Sequence, residues 1–229
     1  MTWARALGLA SLVGFTLGSF GCGADNVFST DPVRGPAGTP DVAATDGSGC
    51  TKPCRLADNT PGYPACGCGT AAGDLIDDYE FIGKDASKGG TAAPRVTVRL
   101  GDFFDPDGKK GNRFLVVSVS ALWCAACKNE ASQLPVVRAK YAPKGVVFFS
   151  DVMQGGKPVP STDGDVDLWI FQFKLTSWVV RDELQVLASF FDPTQMPLNM
   201  IIDLKTMKMV KVFIGGSLEK IESELDSRL

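Results

Sequence analysis

The chain has 229 residues, 45% of them hydrophobic and 21% charged, enough for one well-buried domain with extensions but too little for two large ones. Lys and Arg total 23 against 26 acids, a formal net charge of −3, which argues against a phosphate-backbone binder and gives no reason to expect a nucleic-acid partner. Histidine is absent, which removes Ser-His-Asp and Cys-His catalysis, HExxH zinc hydrolysis and every His-ligated metal centre, and leaves the 7 cysteines as the most informative residues.

Residues 1–21 read as an export signal: Arg5 supplies a positive charge, Ala6 to Phe20 is largely apolar, and no acid interrupts it. The stretch closes on Ser19-Phe20-Gly21-Cys22. Small residues just before a cysteine at the end of such a stretch resemble the bacterial lipoprotein signal. That resemblance implies cleavage before Cys22, lipidation of its thiol and attachment to a membrane. An ordinary signal cut near Gly21 or Gly23, or an uncleaved anchor, stays open. A transmembrane span is disfavoured, because about 20 continuous apolar residues are needed and this stretch is short and glycine-rich. Residues 22–49 are Gly, Pro, Ser, Thr, Asp and Ala with scattered apolar side chains, too little to offset ordering entropy, and read as a flexible tether.

Residues 50–94 form a lead-in that carries Cys50, Cys54, Cys66 and Cys68 among Gly and Pro. In an oxidising compartment these read as two structural disulfides, and four cysteines allow three pairings. A Cys66–Cys68 bond would be strained, which favours bridges from the Cys50/Cys54 pair to the Cys66/Cys68 pair. A zinc or iron-sulfur site is the competing reading, with CxxxC and CxC spacings unusual for either. The rest of the lead-in, Gly67 to Pro94, is expected to pack as an extended segment and has no legible chemistry.

The domain proper is placed at 95–229. Val96 to Leu100 reads as a leading strand, and Asp105-Pro106-Asp107-Gly108 as a turn. Phe114 to Ser120 is a β-branched apolar run, the signature of a buried central strand. It runs into Ala121-Leu122-Trp123-Cys124-Ala125-Ala126-Cys127 and then into helix-compatible sequence to about Tyr141. Cys124 thus falls at a strand-to-helix junction, where unpaired N–H groups and the helix dipole lower a thiol's pKa and favour an attacking thiolate. Cys127, one turn on, is placed to resolve a mixed disulfide.

These residues resemble the thioredoxin-like superfamily, in its TlpA-like or redoxin branch of membrane-tethered bacterial proteins. The pattern is a hydrophobic strand, WCxxC, an acid three residues past the second cysteine (Glu130) and a proline within the helix (Pro135), followed by Thr194-Gln195-Met196-Pro197-Leu198-Asn199-Met200-Ile201-Ile202-Asp203. The resemblance implies an α/β thioredoxin-like fold, a central mixed sheet flanked by helices, and thiol-disulfide exchange through Cys124 and Cys127. It implies a cis peptide at Pro197, with Met196 offering backbone groups to substrate; Trp123, just before Cys124, reads separately as a flank of the substrate groove. Glu130 reads either as a proton relay beside Cys127 or as a solvated helix carboxylate. Departures are Ser118 where thioredoxin has a buried Asp, Val119-Ser120-Ala121 where Phe-Trp-Ala is frequent, and Ala125-Ala126 between the cysteines. No cofactor or metal is implied; the partners are protein disulfide or dithiol clients and a membrane electron donor.

Further on, Gly145 to Ser150 reads as a second buried strand, Met153 to Gly164 as a polar loop, Val166 to Lys174 as a helix, and Ser177 to Val180 as a short strand. Glu183 to Phe190 follows as a helical turn region, and Asn199–Asp203 with Lys208–Ile214 as an edge hairpin. Residues 216–229 close the chain as a helix capped by Ser217. The run Asp163-Gly164-Asp165-Val166-Asp167 begins like a calcium loop but lacks the glycine and final Glu, and reads as an acid cluster at a helix N-terminus. Trp169 is expected in the core. Two other readings of the whole stand beside the oxidoreductase. One is a non-catalytic binding or structural lipoprotein with a fixed Cys124–Cys127 disulfide. The other is a peroxidase, disfavoured because Ala121 stands where a peroxidatic site carries Thr.

Overall fold

A computed structural model describes residues 50–216 and 218–229; the expected signal over 1–21, Cys22, the tether over 22–49 and the capping Ser217 lie outside the described residues. Seven strands form one mixed sheet among them: β1 Glu80–Asp85, β2 Arg95–Arg99, β3 Phe114–Ala121, β4 Val146–Gln154, β5 Trp178–Arg181, β6 Leu198–Asp203 and β7 Lys208–Ile214. Their spatial order is β2-β1-β5-β4-β3-β6-β7. Strands β3, β4 and β5 are parallel neighbours and the other pairings are antiparallel. Parallel neighbours need crossovers, here α1 (Ala125–Tyr141) and α2 (Asp163–Phe173). Both crossovers run in the same direction across the sheet, so right-handedness puts both helices on one face, where α1 touches α2 and the closing helix α3 (Leu218–Asp226). No described helix is long and apolar enough to cross a membrane.

The sheet centre follows from β3, whose eight residues are all buried, as a strand covered on both faces requires. Strand β4 is longer than the sequence implies: Met153 and Gln154 continue it instead of opening a loop. Helix α2 begins at Asp163 rather than near Val166, because Thr162 Oγ1 accepts from Asp165 N at 3.3 Å while Asp165 Oδ2 accepts from Thr162 N at 2.7 Å. The acid cluster there pairs with cations across the sheet edge: Asp163 with Arg95 and Arg181, Asp167 with Lys84.

The lead-in contributes more than an extended cover. Strand β1 inserts between β2 and β5, so residues 50–94 supply a sheet member to the domain placed at 95–229. Before it, Cys50–Cys66 and Cys54–Cys68 disulfides close a small cap. Buried carboxylates hold that cap: Asp77 accepts from Arg55 N and Leu56 N at 3.0 and 2.9 Å, and Asp78 from Thr60 Oγ1 and Gly101 N, each at 2.6 Å. The cap joins the sheet through a Leu75–Lys208 bridge. Lys208 pairs with Asp203, and Asp203 with Phe114, so the cap sits at the end of the sheet where β3 starts.

Candidate active site

Where β3 ends, the chain turns sharply into α1 with Cys124 as the N-cap, φ −83° and ψ 110°. Its Sγ accepts from Cys127 N at 3.1 Å, one of the N–H groups that a helix start leaves without a backbone partner. In the structure the two cysteines are joined, Cα to Cα 5.2 Å apart. They differ in access: Cys127 is fully buried, whereas Cys124 keeps 6% of its surface. On reduction the same N–H and the helix dipole stabilise charge on Cys124, the less buried of the two cysteines.

One turn past Cys127 and on the same helix face lies Glu130, which is 6% exposed; this overturns the solvated-carboxylate alternative. Its Oε2 accepts from Asn199 Nδ2 at 3.0 Å, and Asn199 Oδ1 accepts from Ser118 Oγ at 2.5 Å. Ser118 on β3 and Asn199 on β6 are register partners, so the sheet itself aims Asn199 at the acid. Burial pushes the Glu130 carboxyl up to about 7, against the opposing hydrogen bonds of Asn199 and Ser118. Ser118, where a buried Asp was absent from the sequence, therefore supports an acid that comes from the helix.

The Met196–Pro197 peptide is cis. It lies at the start of β6, antiparallel to β3, which brings it beside the strand end that carries the cysteines. The Met196 side chain is buried, so what this residue can offer outward is backbone. Gly215 N donates to Pro197 O at 2.9 Å. Gly216 follows with φ 55°; a Cβ there would stand 2.7 Å from Pro197 Cγ and 3.1 Å from Glu130 Oε2. The proline ring, the acid and this glycine thus converge, and only glycine fits.

Trp123 is partly buried, and its Nε1 donates to Gln154 Oε1 at 3.0 Å. Gln154 Nε2 donates to Gln185 Oε1 at 3.2 Å, and Gln185 Nε2 to Pro158 O at 3.4 Å. Sequence reading missed this chain of amides, along with Asn199. A polar residue at the end of an apolar strand was the signal for both Gln154 and Asn199. Trp169 is in the core. With Cys50, Cys54, Cys66 and Cys68 tied in disulfides, those four offer no thiolate set for zinc or iron, and no group of three or more metal-ligating side chains occurs among the described residues. A second buried acid, Asp151 on β4, is fully enclosed with neither oxygen hydrogen-bonded. Burial, then the neighbouring Asp182, holds its carboxyl well above the usual carboxylate range.

No protein-family profile matches the chain, and no curated relative does. Solved structures do match it in shape. A Chlorobium tepidum protein described as a thiol:disulfide interchange protein DsbE superposes with TM-score 0.51 at 18% identity, covering 69% of this chain and 95% of that one. A Bacteroides thetaiotaomicron protein described as a protein disulfide isomerase gives 0.51 at 16%, covering 70% and 89%. The 2-Cys peroxiredoxin of Plasmodium vivax gives 0.53 at 12%, covering 69% and 81%. At such identities the likeness is one of fold, and it is the α/β thioredoxin-like fold, a mixed sheet flanked by helices.

Proposed function

We propose that this chain of thioredoxin-like fold is an extracytoplasmic thiol-disulfide oxidoreductase that reduces protein disulfides through Cys124 and Cys127. The observation that carries the reading is the asymmetry of the pair: Cys124 caps a helix N-terminus and keeps a little exposed surface, while Cys127, one turn on, keeps none and shares its helix face with a buried acid. The fold alone does not decide, since interchange proteins and peroxiredoxins share it. Ala121, three residues before Cys124, supplies no hydroxyl for a peroxide, which favours disulfide exchange.

In the reduced protein, the Cys124 thiolate attacks one sulfur of a client disulfide. A mixed disulfide forms, and the other client sulfur leaves as a thiolate and takes a proton from water. Cys127 then gives its proton to the Glu130 carboxylate and attacks Cys124 Sγ. The Cys124–Cys127 disulfide forms and the second client thiolate departs, so two electrons have passed to the client. A Cys124–Cys127 disulfide, the state found in the structure, would be the product of such a cycle. In this reading Pro197, the Met196 backbone and Trp123 flank the bound client segment. A membrane electron donor would return the pair to the dithiol.

Cys22 would carry a lipid and residues 22–49 a tether. The tether joins the domain at Cys50, in the disulfide cap at one end of the sheet, and the catalytic pair lies at the other end. That arrangement suits a tethered domain that works on soluble clients. The test is trapping. Cys127→Ala protein should accumulate mixed disulfides with clients through Cys124, and Cys124→Ala should accumulate none. Equal or absent trapping by both variants would favour a fixed, non-catalytic disulfide.

A further inference from the structure

The loop after β4, Gly155-Gly156-Lys157-Pro158-Val159-Pro160-Ser161, contains a single charged residue. It is folded back on itself: Gly155 N donates to Val159 O at 3.1 Å, and Ser161 N to Met153 O at 3.2 Å. That frame sets the Lys157 ammonium 4.4 Å from the centre of the Trp123 ring, on the residue just before Cys124. Lys157 is exposed, so the indole takes one side of the ammonium and leaves another to solvent. A cation over an aromatic face keeps its charge and can still accept an anion.

The carboxylates of the flanking elements already have partners: Asp165, whose Oδ2 lies beside Gly155, accepts from Thr162 N and Oγ1, each at 2.7 Å. The first turn of α1 has no acid, and Glu130 is buried. Glu183 pairs with Arg181 at 2.6 Å, and Asp192 accepts from Thr194 N and Oγ1 at 2.9 and 2.8 Å. Lys128, directly after Cys127, adds a second, half-buried cation. A chain of net charge −3 thus sets one lysine over the residue before its cysteine pair and another directly after the pair in sequence. Val159, two residues on in the same loop, adds apolar surface and is 57% exposed.

We infer that the Lys157–Trp123 ledge selects the substrate: an extended client segment with Asp or Glu within a few residues of the attacked cysteine. This rests on the oxidoreductase reading above. Rim charges act on encounter and choice of partner more than on chemistry, so the readout is a preference. Two disulfide peptides of one sequence, with Glu or Lys beside the cysteine, are compared by kcat/KM, each protein normalised to its own rate on neutral hydroxyethyl disulfide. The wild-type protein should favour the Glu peptide about threefold to tenfold at low ionic strength, with the preference shrinking in salt. Lys157→Arg should keep the preference, Lys157→Gln remove it and Lys157→Glu invert it. No preference in the wild type, or the same preference in Lys157→Glu, would overturn the inference. Failure of the wild type to reduce hydroxyethyl disulfide at all would instead overturn the oxidoreductase reading.

Discussion

Replacing Glu130 with Gln removes a buried carboxyl that the fold holds against Asn199, one helical turn past Cys127. Its proton affinity rises from the ordinary 4.5 to about 7 through burial. Each factor of ten in that affinity is worth about 1.4 kcal/mol, so the charged form costs the folded state about 3 kcal/mol once fully ionised. The direction is fixed by which state keeps the proton. Below pH 4.5 both folded and unfolded chains are protonated and nothing is lost. Between 4.5 and about 7 the unfolded chain releases its proton first and stability falls; above that the loss is complete. Glu130→Gln has no such slope, and its amide can still accept from Asn199. Urea denaturation of the oxidised proteins from pH 4 to pH 8 should therefore show the stability difference, variant minus wild type, growing by about 3 kcal/mol. The same variant should slow resolution of the mixed disulfide about a hundredfold near neutral pH, at the low end for loss of a general base, and lose the pH dependence centred near 7. A stability difference that stays flat within about 1 kcal/mol would refute the buried-acid argument.

Three other outcomes follow from the same structure. Asp151→Val removes two unsatisfied buried oxygens and should stabilise the protein by about 1–3 kcal/mol, more at pH 8 than at pH 4, as read by denaturation across pH. Its raised carboxyl, like that of Glu130, costs stability only as pH climbs past the unfolded value; an effect that shrinks with pH would contradict this. Gly216→Ala puts a methyl 2.7 Å from Pro197 Cγ at a positive φ, and should cost about 1–3 kcal/mol and disturb exchange, visible as a lowered Tm with slower turnover. Removing the Cys54–Cys68 bridge by a double Ser substitution should cost about 2–4 kcal/mol yet leave hydroxyethyl disulfide reduction intact, because that cap lies at the far end of the sheet.

What the sequence disclosed was local. The apolar run of β3, the WCxxC at its end and the proline opening β6 are each contiguous, and each sits in the structure where that reading puts it. What it hid was assembled from afar. Strand β1, Glu-Phe-Ile-Gly-Lys-Asp, is too polar to announce itself and exists through pairing with β2 and β5 on either side. The choice among cysteine pairings depends on how the cap folds around Asp77 and Asp78, whose hydrogen bonds reach back to Arg55, Leu56 and Thr60 and forward to Gly101. Glu130, Asn199 and Ser118 meet only because α1 packs over the β3–β6 pair, so the acid's burial could not be read from its own neighbours. The loop after β4 looked merely polar; its Lys157 gains meaning from Trp123, which lies on the adjoining strand-to-helix turn.

The central claim is that Cys124 and Cys127 form a working redox couple, and a redox titration tests it most directly. The domain, with its two cap disulfides verified by peptide mapping, is equilibrated against dithiothreitol and glutathione buffers, and the state of the Cys124–Cys127 pair is read by thiol alkylation. The account predicts a reversible two-electron couple in the folded protein, near about −270 mV for a reductase rather than near about −120 mV for an oxidant. A disulfide that opens only after the domain unfolds would contradict it.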